Sequence, residues 1–285
     1  MVNPAPTLPS SVKALFDLTG RVAVITGGAG FLGLRFADAL AEMGALPVLF
    51  DMGQAALDKG IATLAAAGRK AEAEVVDVCD PASIEKAGRA VQARHGRIDI
   101  LINSAALTKA GLENAGDDFF ASFDKYPLDY WARGLEVNLT GTMLACQVIG
   151  AMMVKQGKGS IINIASDVGV ISPDHRIYQP DDRGYPGTTF NTPAFYAVSK
   201  AGVIHLTKYL APLWAPSNVR VNALSPAGVY RDHDPAFVAK LATCIPMGRM
   251  AAPDEYKGAV VFMASDASSF MTGANLIVDG GRTAW

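Results

Sequence analysis

The stretch VITGGAGFLG, Val24 to Gly33, carries four glycines in the seven positions from Gly27 to Gly33. Gly28, Gly30 and Gly33 read as G-x-G-x-x-G; counted from Thr26, the same residues read as T-G-x-x-G-x-x-G. The run before it, RVAVIT, is apolar and β-branched, as a fully buried strand is. The run after it, FLGLRFADALAEMGA, places apolar residues at helical spacing and stops at Gly44. Between a strand and a helix, glycines let the backbone turn tightly and approach a pyrophosphate. The helix N-terminus offers that anion unpaired N–H groups and a partial positive charge. The loop therefore predicts a dinucleotide site built from Gly27, Gly30, Phe31, Leu32 and Gly33.

The same alternation of strand and helix runs on through the chain. LPVLFD, AEAEVVDV, IDILINSAA, GSIINIAS, VRVNALSP and ANLIVDGG read as six further strands. Between them lie helices such as DPASIEKAGRAVQARHG, opened by an Asp80 cap and Pro81. Two long ones start near Leu128 and Thr192. Alternating elements of this kind predict an α/β fold: one doubly wound Rossmann domain with a parallel sheet of about seven strands and helices on both faces. Residues 1–19 read as a Pro-rich arm and 20–285 as the dinucleotide-binding and catalytic domain. Ligands of such sheets bind at the carboxyl ends of the strands.

The 285 residues have a formal net charge of −2, and half are hydrophobic. That composition suits a large core and gives no electrostatic case for nucleic acid or an anionic membrane. Cys79, Cys146 and Cys244 are scattered, so the expectation is a reducing compartment and a cytoplasmic protein. The prolines of MVNPAPTLPSSVKALF break the apolar run a signal peptide needs. No segment reads as approaching the roughly 18 apolar residues that span a bilayer. The four histidines lie far apart, and no metal site is expected. Asp51 ends the second strand, 18 residues after Gly33. A carboxylate there accepts both hydroxyls of an adenosine ribose and repels a 2′-phosphate. No Arg or Lys lies in the glycine loop, and none follows Asp51 until Lys59. The expected cofactor is NAD, with Met52 beside the ribose.

Taken in order, the remaining motifs resemble the short-chain dehydrogenase/reductase family along essentially residues 15–283. VVDVCD places Asp77 and Val78 where that family holds the adenine ring. INSAA stands where the family has N-N-A-G, and the resemblance implies Asn103 and Ala105 along the cofactor. SPAGV supplies Pro226, Gly228 and Val229 at the nicotinamide carboxamide. LEVNLTG carries Asn138, SIINIAS ends in Ser166, and YAVSK gives Tyr196 and Lys200. By resemblance Asn138 breaks its helix locally and holds a water of a proton relay, and Lys200 holds the nicotinamide ribose. ASDASSFMTGANLIVDGG resembles the family's C-terminal signature. The chemistry fits: a tyrosine, with a pKa of about 10, is a poor base until a cation favours its phenolate. Lys200 lies one helical turn from Tyr196, on the same face. Ser166 hydrogen-bonds the reacting oxygen.

Two features depart from the family's compact branch. Ser166 and Tyr196 stand 30 residues apart, where about a dozen is usual. The added segment, about 168–194, reads as a substrate loop in which His175, Arg176, Arg183, Tyr185 and Asn191 meet hydroxyls or an acidic group. A second wall, about 230–250 and beginning at Tyr230, reads as a flap over the nicotinamide. Phe31 stands where the compact branch has its middle glycine, a spacing similar to that of epimerases and dehydratases of nucleotide-sugars. The catalytic motifs and the C-terminal signature outweigh that spacing. The chain resembles, more narrowly, sugar and polyol dehydrogenases, among them proteins linked to nonulosonic-acid and flagellar-glycan synthesis. The expected reaction converts a secondary alcohol to a ketone, or a sugar hemiacetal to a lactone, on a small carbohydrate-like substrate. Alternatives are a nucleotide-sugar epimerase or dehydratase with bound NAD, and a redox-sensing NAD-binding protein. The family resemblance and the apolar helices at 128–156 and 195–214 imply a homotetramer or dimer.

Overall fold

A computed structural model describes residues 8–107, 117–179 and 192–285. Seven strands form one parallel sheet in the order β3-β2-β1-β4-β5-β6-β7. They are β1 (Val22–Thr26), β2 (Leu46–Asp51), β3 (Glu72–Val75), β4 (Ile100–Asn103), β5 (Gly159–Ile164), β6 (Val219–Pro226) and β7 (Asn275–Val278). β1, β4 and β5 are buried along their whole length. Strands covered on both faces read as near-continuous apolar runs, here interrupted by Thr26, Asn103, Ser160 and Asn163. The chain order reverses between β1 and β4, which opens a crevice above their carboxyl ends.

The expected N-terminal arm contains a short helix, α1 (Val12–Leu15). On one face of the sheet pack α2 (Phe31–Glu42), α3 (Gln54–Ala66) and α10 (Lys257–Ala264), through Phe36, Leu40, Leu57, Leu64, Tyr256 and Val260. The other face carries α4 (Pro81–His95), the helix from Leu128 to Gln156, and α8 (Ala194–Trp214). The Leu128–Gln156 helix is composite: α5 (Leu128–Leu135), α6 (Gly141–Ala145) and α7 (Ala151–Gln156), joined by π-helical turns at Glu136–Thr140 and Cys146–Gly150.

That helix corrects one expectation. By length and composition it is long and apolar enough to cross a membrane. It lies instead against the sheet, where Ala145, Cys146, Ile149 and Met153 are buried with Val91, Leu101 and Ile161. Its apolarity follows from packing on the sheet along one side and on neighbouring helices along others. α9 (Pro235–Thr243), capped by Asp234, stands in the expected flap after β6.

Candidate active site

The glycine loop leaves β1 at Thr26 and reverses at Gly27, whose φ is +62°. A Cβ on Gly27 would lie 2.7 Å from the Ala105 Cα, so the loop after β4 packs directly on this turn. A Cβ on Gly33 would lie 2.2 Å from the Gly27 carbonyl oxygen, which explains how closely α2 enters. The N-terminus of α2 has no side-chain cap and no acidic residue in its first turn. Its first backbone hydrogen bond runs from Leu34 N to Gly30 O. The N–H groups of Phe31, Leu32 and Gly33 precede that bond and face outward, as an anion requires. Asp51 closes one side: its carboxylate accepts from Ala29 N at 3.1 Å and Met52 N at 2.9 Å. Each oxygen keeps a lone pair for a ribose hydroxyl. Met52 itself is exposed. This donor set fits a dinucleotide.

Further along the crevice, the Asp77 carboxylate accepts from Cys79 N at 2.8 Å, and Val78 is buried against Gly141. Beyond β6, which ends at Pro226, Gly228 O accepts from Ala251 N and Val229 is bridged to Ala251, pinning the base of the flap. Ala105, expected along the cofactor, lies beside Gly27 of the glycine loop. Asn103 does not share that setting. Its amide donates to Asn163 Oδ1 at 2.8 Å and to Cys146 Sγ at 3.2 Å, and it is 2% exposed. Strand pleating turns this side chain into the sheet–helix interface, so it ties β4 to β5 rather than lining the cofactor crevice.

Phe31 acquires a physical reason. The Arg35 guanidinium stacks on its ring at 3.8 Å, and Arg231 of the flap approaches the same ring at 4.9 Å. Arg35 also donates to Phe31 O at 2.7 Å. The ring is a platform on which the flap rests at the mouth of the glycine cradle. An exposed cation–π contact contributes about 0.5–1 kcal/mol. Phe31→Gly is therefore expected to speed release of a bound reduced nicotinamide dinucleotide roughly two- to fivefold, read by stopped-flow fluorescence. An unchanged release rate contradicts the platform.

Ser166, Tyr196 and Lys200 meet where β5 ends against the first turns of α8. Ser166 is buried, and its hydroxyl is close enough to Tyr196 to act on the phenol. Lys200 is 3% exposed; its Nζ donates to Ile164 O at 2.7 Å and lies 5.7 Å from the centre of the Tyr196 ring. Asn138 sits, fully buried, in the first π-helical turn. Its Oδ1 accepts from Leu107 N at 2.7 Å and its Nδ2 donates to Ser199 Oγ at 3.3 Å. That amide ties the loop after β4 to α8, so its hydrogen bonds go to protein groups rather than toward Lys200.

The electrostatics correct the expected lowering of the Tyr196 pKa. Burial of the phenol raises it; the Ser166 hydroxyl opposes this, and the Asp167 carboxylate adds to the rise. Lys200 is itself pushed down to about 8 by burial. Below about pH 8 it is charged folded or unfolded, and the full cost of burying that charge is present. From there to its ordinary 10.5 the unfolded chain holds a proton the folded chain releases, so this group makes stability rise with pH. The melting-temperature difference between Lys200→Met and wild type is thus expected to move in favour of wild type across that window. A constant difference contradicts the assignment.

Of the expected substrate residues, His175 lines a cavity of about 410 Å³ with Tyr126, Thr192, Ala197 and Val198, beside the first turn of α8. Arg176 does not join it. Asp174 takes its guanidinium at 2.9 and 2.7 Å, and it faces a separate cavity of about 610 Å³ lined also by Lys240, Cys244, Arg282 and Trp285. Neither cavity includes Ser166 or Tyr196 in its lining. Tyr230 is exposed, its N–H held by Ala251 O and its ring 6.2 Å from that of His233. Arg183, Tyr185 and Asn191 lie outside the described residues.

Three residues escaped the sequence reading. The Tyr126 hydroxyl is buried with no hydrogen-bond partner among the described residues, and burial pushes its pKa up to about 12. Asp167 directly follows Ser166, and Arg282 lies three residues before Trp285. Their ion pair is 2.6 Å long. The only signal for Asp167 was its adjacency to Ser166; pairing with a residue 115 positions away had none.

Residues 21–178 match the family described as short chain dehydrogenase, and residues 185–283 match one described as enoyl-(acyl carrier protein) reductase. A D-threitol dehydrogenase of Mycolicibacterium smegmatis is 35% identical over 278 residues, 96% of either chain. A solved NAD+-bound xylitol dehydrogenase superposes with a TM-score of 0.77 at 32% identity, covering 92% of this chain and 99% of that one. A gluconate 5-dehydrogenase from Burkholderia cenocepacia, solved with NADP and tartrate, superposes at 0.80 and 32% identity, covering 96% and 100%. The family uses a nicotinamide cofactor and acts on CH–OH groups. With its glycine cradle, its Ser166–Tyr196–Lys200 cluster and this full-length similarity, the chain is a member of the short-chain dehydrogenase family.

Proposed function

We propose that this protein is an NAD-dependent dehydrogenase of a polyol, sugar or sugar acid, interconverting a secondary alcohol and a ketone, or a hemiacetal and a lactone. The observation that carries the reading is the convergence of Ser166, Tyr196 and the buried Lys200 at the carboxyl ends of the strands, the same end of the sheet as the glycine cradle. The polyol and sugar-acid dehydrogenases among its relatives support the substrate class. They offer no support for the epimerase or dehydratase alternative. Relatives differ in cofactor, and NAD rests on Asp51, whose oxygens face the ribose position with no cation beside them in sequence.

The nicotinamide, when bound, supplies the hydride acceptor. The chain's own residues do the rest. The N–H groups of Phe31, Leu32 and Gly33 bind the diphosphate, and Asp51 binds the ribose hydroxyls. Ser166 orients the reacting oxygen, and the Tyr196 hydroxyl takes or returns the substrate proton. Lys200 holds the nicotinamide ribose and offsets phenolate charge. The cavity bearing His175 and the buried Tyr126 hydroxyl receives the polar end of the substrate. NADH absorbance against a panel of polyols, sugars and sugar acids tests the reading; inactivity throughout, with both NAD and NADP, would overturn it.

Exposed Met143, Val198, Tyr209 and Leu213 on the long helices support assembly as a homotetramer or dimer, which sedimentation equilibrium reads; a monomer would refute it. Three unpaired cysteines agree with a reducing, cytoplasmic setting, which localisation of a tagged chain tests; export would refute it.

A further inference from the structure

Next to the catalytic serine lies a buried ion pair that the mechanism above does not use. Asp167 is 2% exposed and Arg282 7% exposed. Arg282 Nη1 donates to Asp167 Oδ2 at 2.6 Å. The other oxygen, Oδ1, accepts from Ser166 Oγ at 2.8 Å and from Val168 N at 2.8 Å. Every charge of the carboxylate is therefore met, and one of its partners is the serine hydroxyl. A serine has a single proton. With that proton directed at Asp167, the lone pairs of Oγ are left to accept, and Val168 N approaches them at 3.4 Å. Ser166 and Arg282 thus both donate to the Asp167 carboxylate, one to each oxygen.

We infer that Asp167 and Arg282 are positioning residues for the Ser166–Tyr196 pair, the carboxylate orienting the serine hydroxyl and the guanidinium holding the carboxylate. The inference rests on the dehydrogenase reading for its kinetic consequence, though not for its structural one. Arg282 comes from the turn after β7, so the C-terminal segment reaches into the catalytic cluster through a single side chain. The same arrangement sets the charge around Tyr196. Asp167 disfavours the phenolate, both as a nearby anion and by drawing away the serine proton that a phenolate would accept. Arg282 offsets that anion, and Lys200 favours the phenolate from α8. Asp174 faces Arg282 from the insertion, while Tyr256, with Asp279 near it, faces Asp167 from the segment before α10. The carboxylate and the guanidinium that neutralises it are thus expected to act on one phenol in opposite directions.

The test is a titration with two readouts. Tyrosinate absorbance at 295 nm, taken as the difference between each background and its Tyr196→Phe partner, follows the phenol directly. The pH dependence of kcat/KM for polyol oxidation follows it in turnover. Asp167→Asn keeps the shape and removes the charge; the apparent pKa of Tyr196 is expected to fall by about half a unit or more. Arg282→Met leaves the carboxylate unpaired, and the pKa is expected to rise by a similar amount, whereas Arg282→Lys stays near wild type. If Arg282→Met does not fold, Asp167→Asn and Arg282→Lys decide. Shifts of Asp167→Asn and Arg282→Met in the same direction, or values within about 0.2 unit of wild type for both, overturn the inference and leave the pair as an anchor of the C-terminus. If wild type oxidises no polyol, the dehydrogenase reading falls, and the 295 nm titration still decides the role of the pair.

Discussion

Tyr196→Phe is expected to lower kcat by about 10²- to 10⁴-fold while NAD binds with near wild-type affinity. The substitution removes one oxygen from a phenol on which Ser166 acts and whose ring centre lies 5.7 Å from Lys200 Nζ. The ring remains, packed with Tyr126, Tyr130 and Phe195. The glycine cradle and Asp51 are untouched, so fluorescence titration with NADH should report an intact cofactor site. Loss of turnover with retained binding separates a proton-transferring group from a packing group. A fully active phenylalanine variant would remove Tyr196 from the chemistry and with it the mechanism proposed above.

The second large effect belongs to Asp51. Its carboxylate is fixed by Ala29 N and Met52 N at the end of β2, so the direction of its free lone pairs is set by backbone. Charge-assisted hydrogen bonds contribute roughly 1.5–3 kcal/mol each, and a carboxylate also repels a 2′-phosphate. Asp51→Ala is expected to raise KM for NAD roughly 10- to 100-fold with a much smaller change in kcat. The NADP reaction is expected to improve at the same time, because the repulsion is gone. Steady-state kinetics with both cofactors measure this. A wild type that prefers NADP, or an alanine variant with unaltered preference, contradicts the role given to Asp51.

Much of the fold was legible because it depends on local pattern. The β1 and β4 runs are buried at every position and apolar up to their closing Thr26 and Asn103, as strands covered on both faces are, and Gly27, Gly30 and Gly33 stand at one strand–helix junction. Ser166, Tyr196 and Lys200 were legible through resemblance, together with the helical spacing of the last two. What escaped depends on contacts between distant positions. The turn of Asn103 toward Asn163 and Cys146 follows from strand pleating and register, which a motif does not encode. Arg176 pairs with its near neighbour Asp174, so a cation expected at the substrate is taken up locally. The burial that raises the Tyr196 pKa and lowers that of Lys200 arises only when β5, α8 and the Asp167 turn close together. Phe31 was a departure in the sequence and becomes a platform once Arg35 and Arg231 are placed around it.

The central claim is that this chain moves hydride from a carbon bearing a secondary hydroxyl to a nicotinamide. A substrate identified in the polyol and sugar-acid panel, deuterated at the reacting carbon, tests that claim by mass spectrometry of cofactor and product. The account expects one deuterium in the reduced cofactor for each ketone or lactone formed. Deuterium retained in an epimerised or dehydrated product, with no net reduced cofactor, would contradict it.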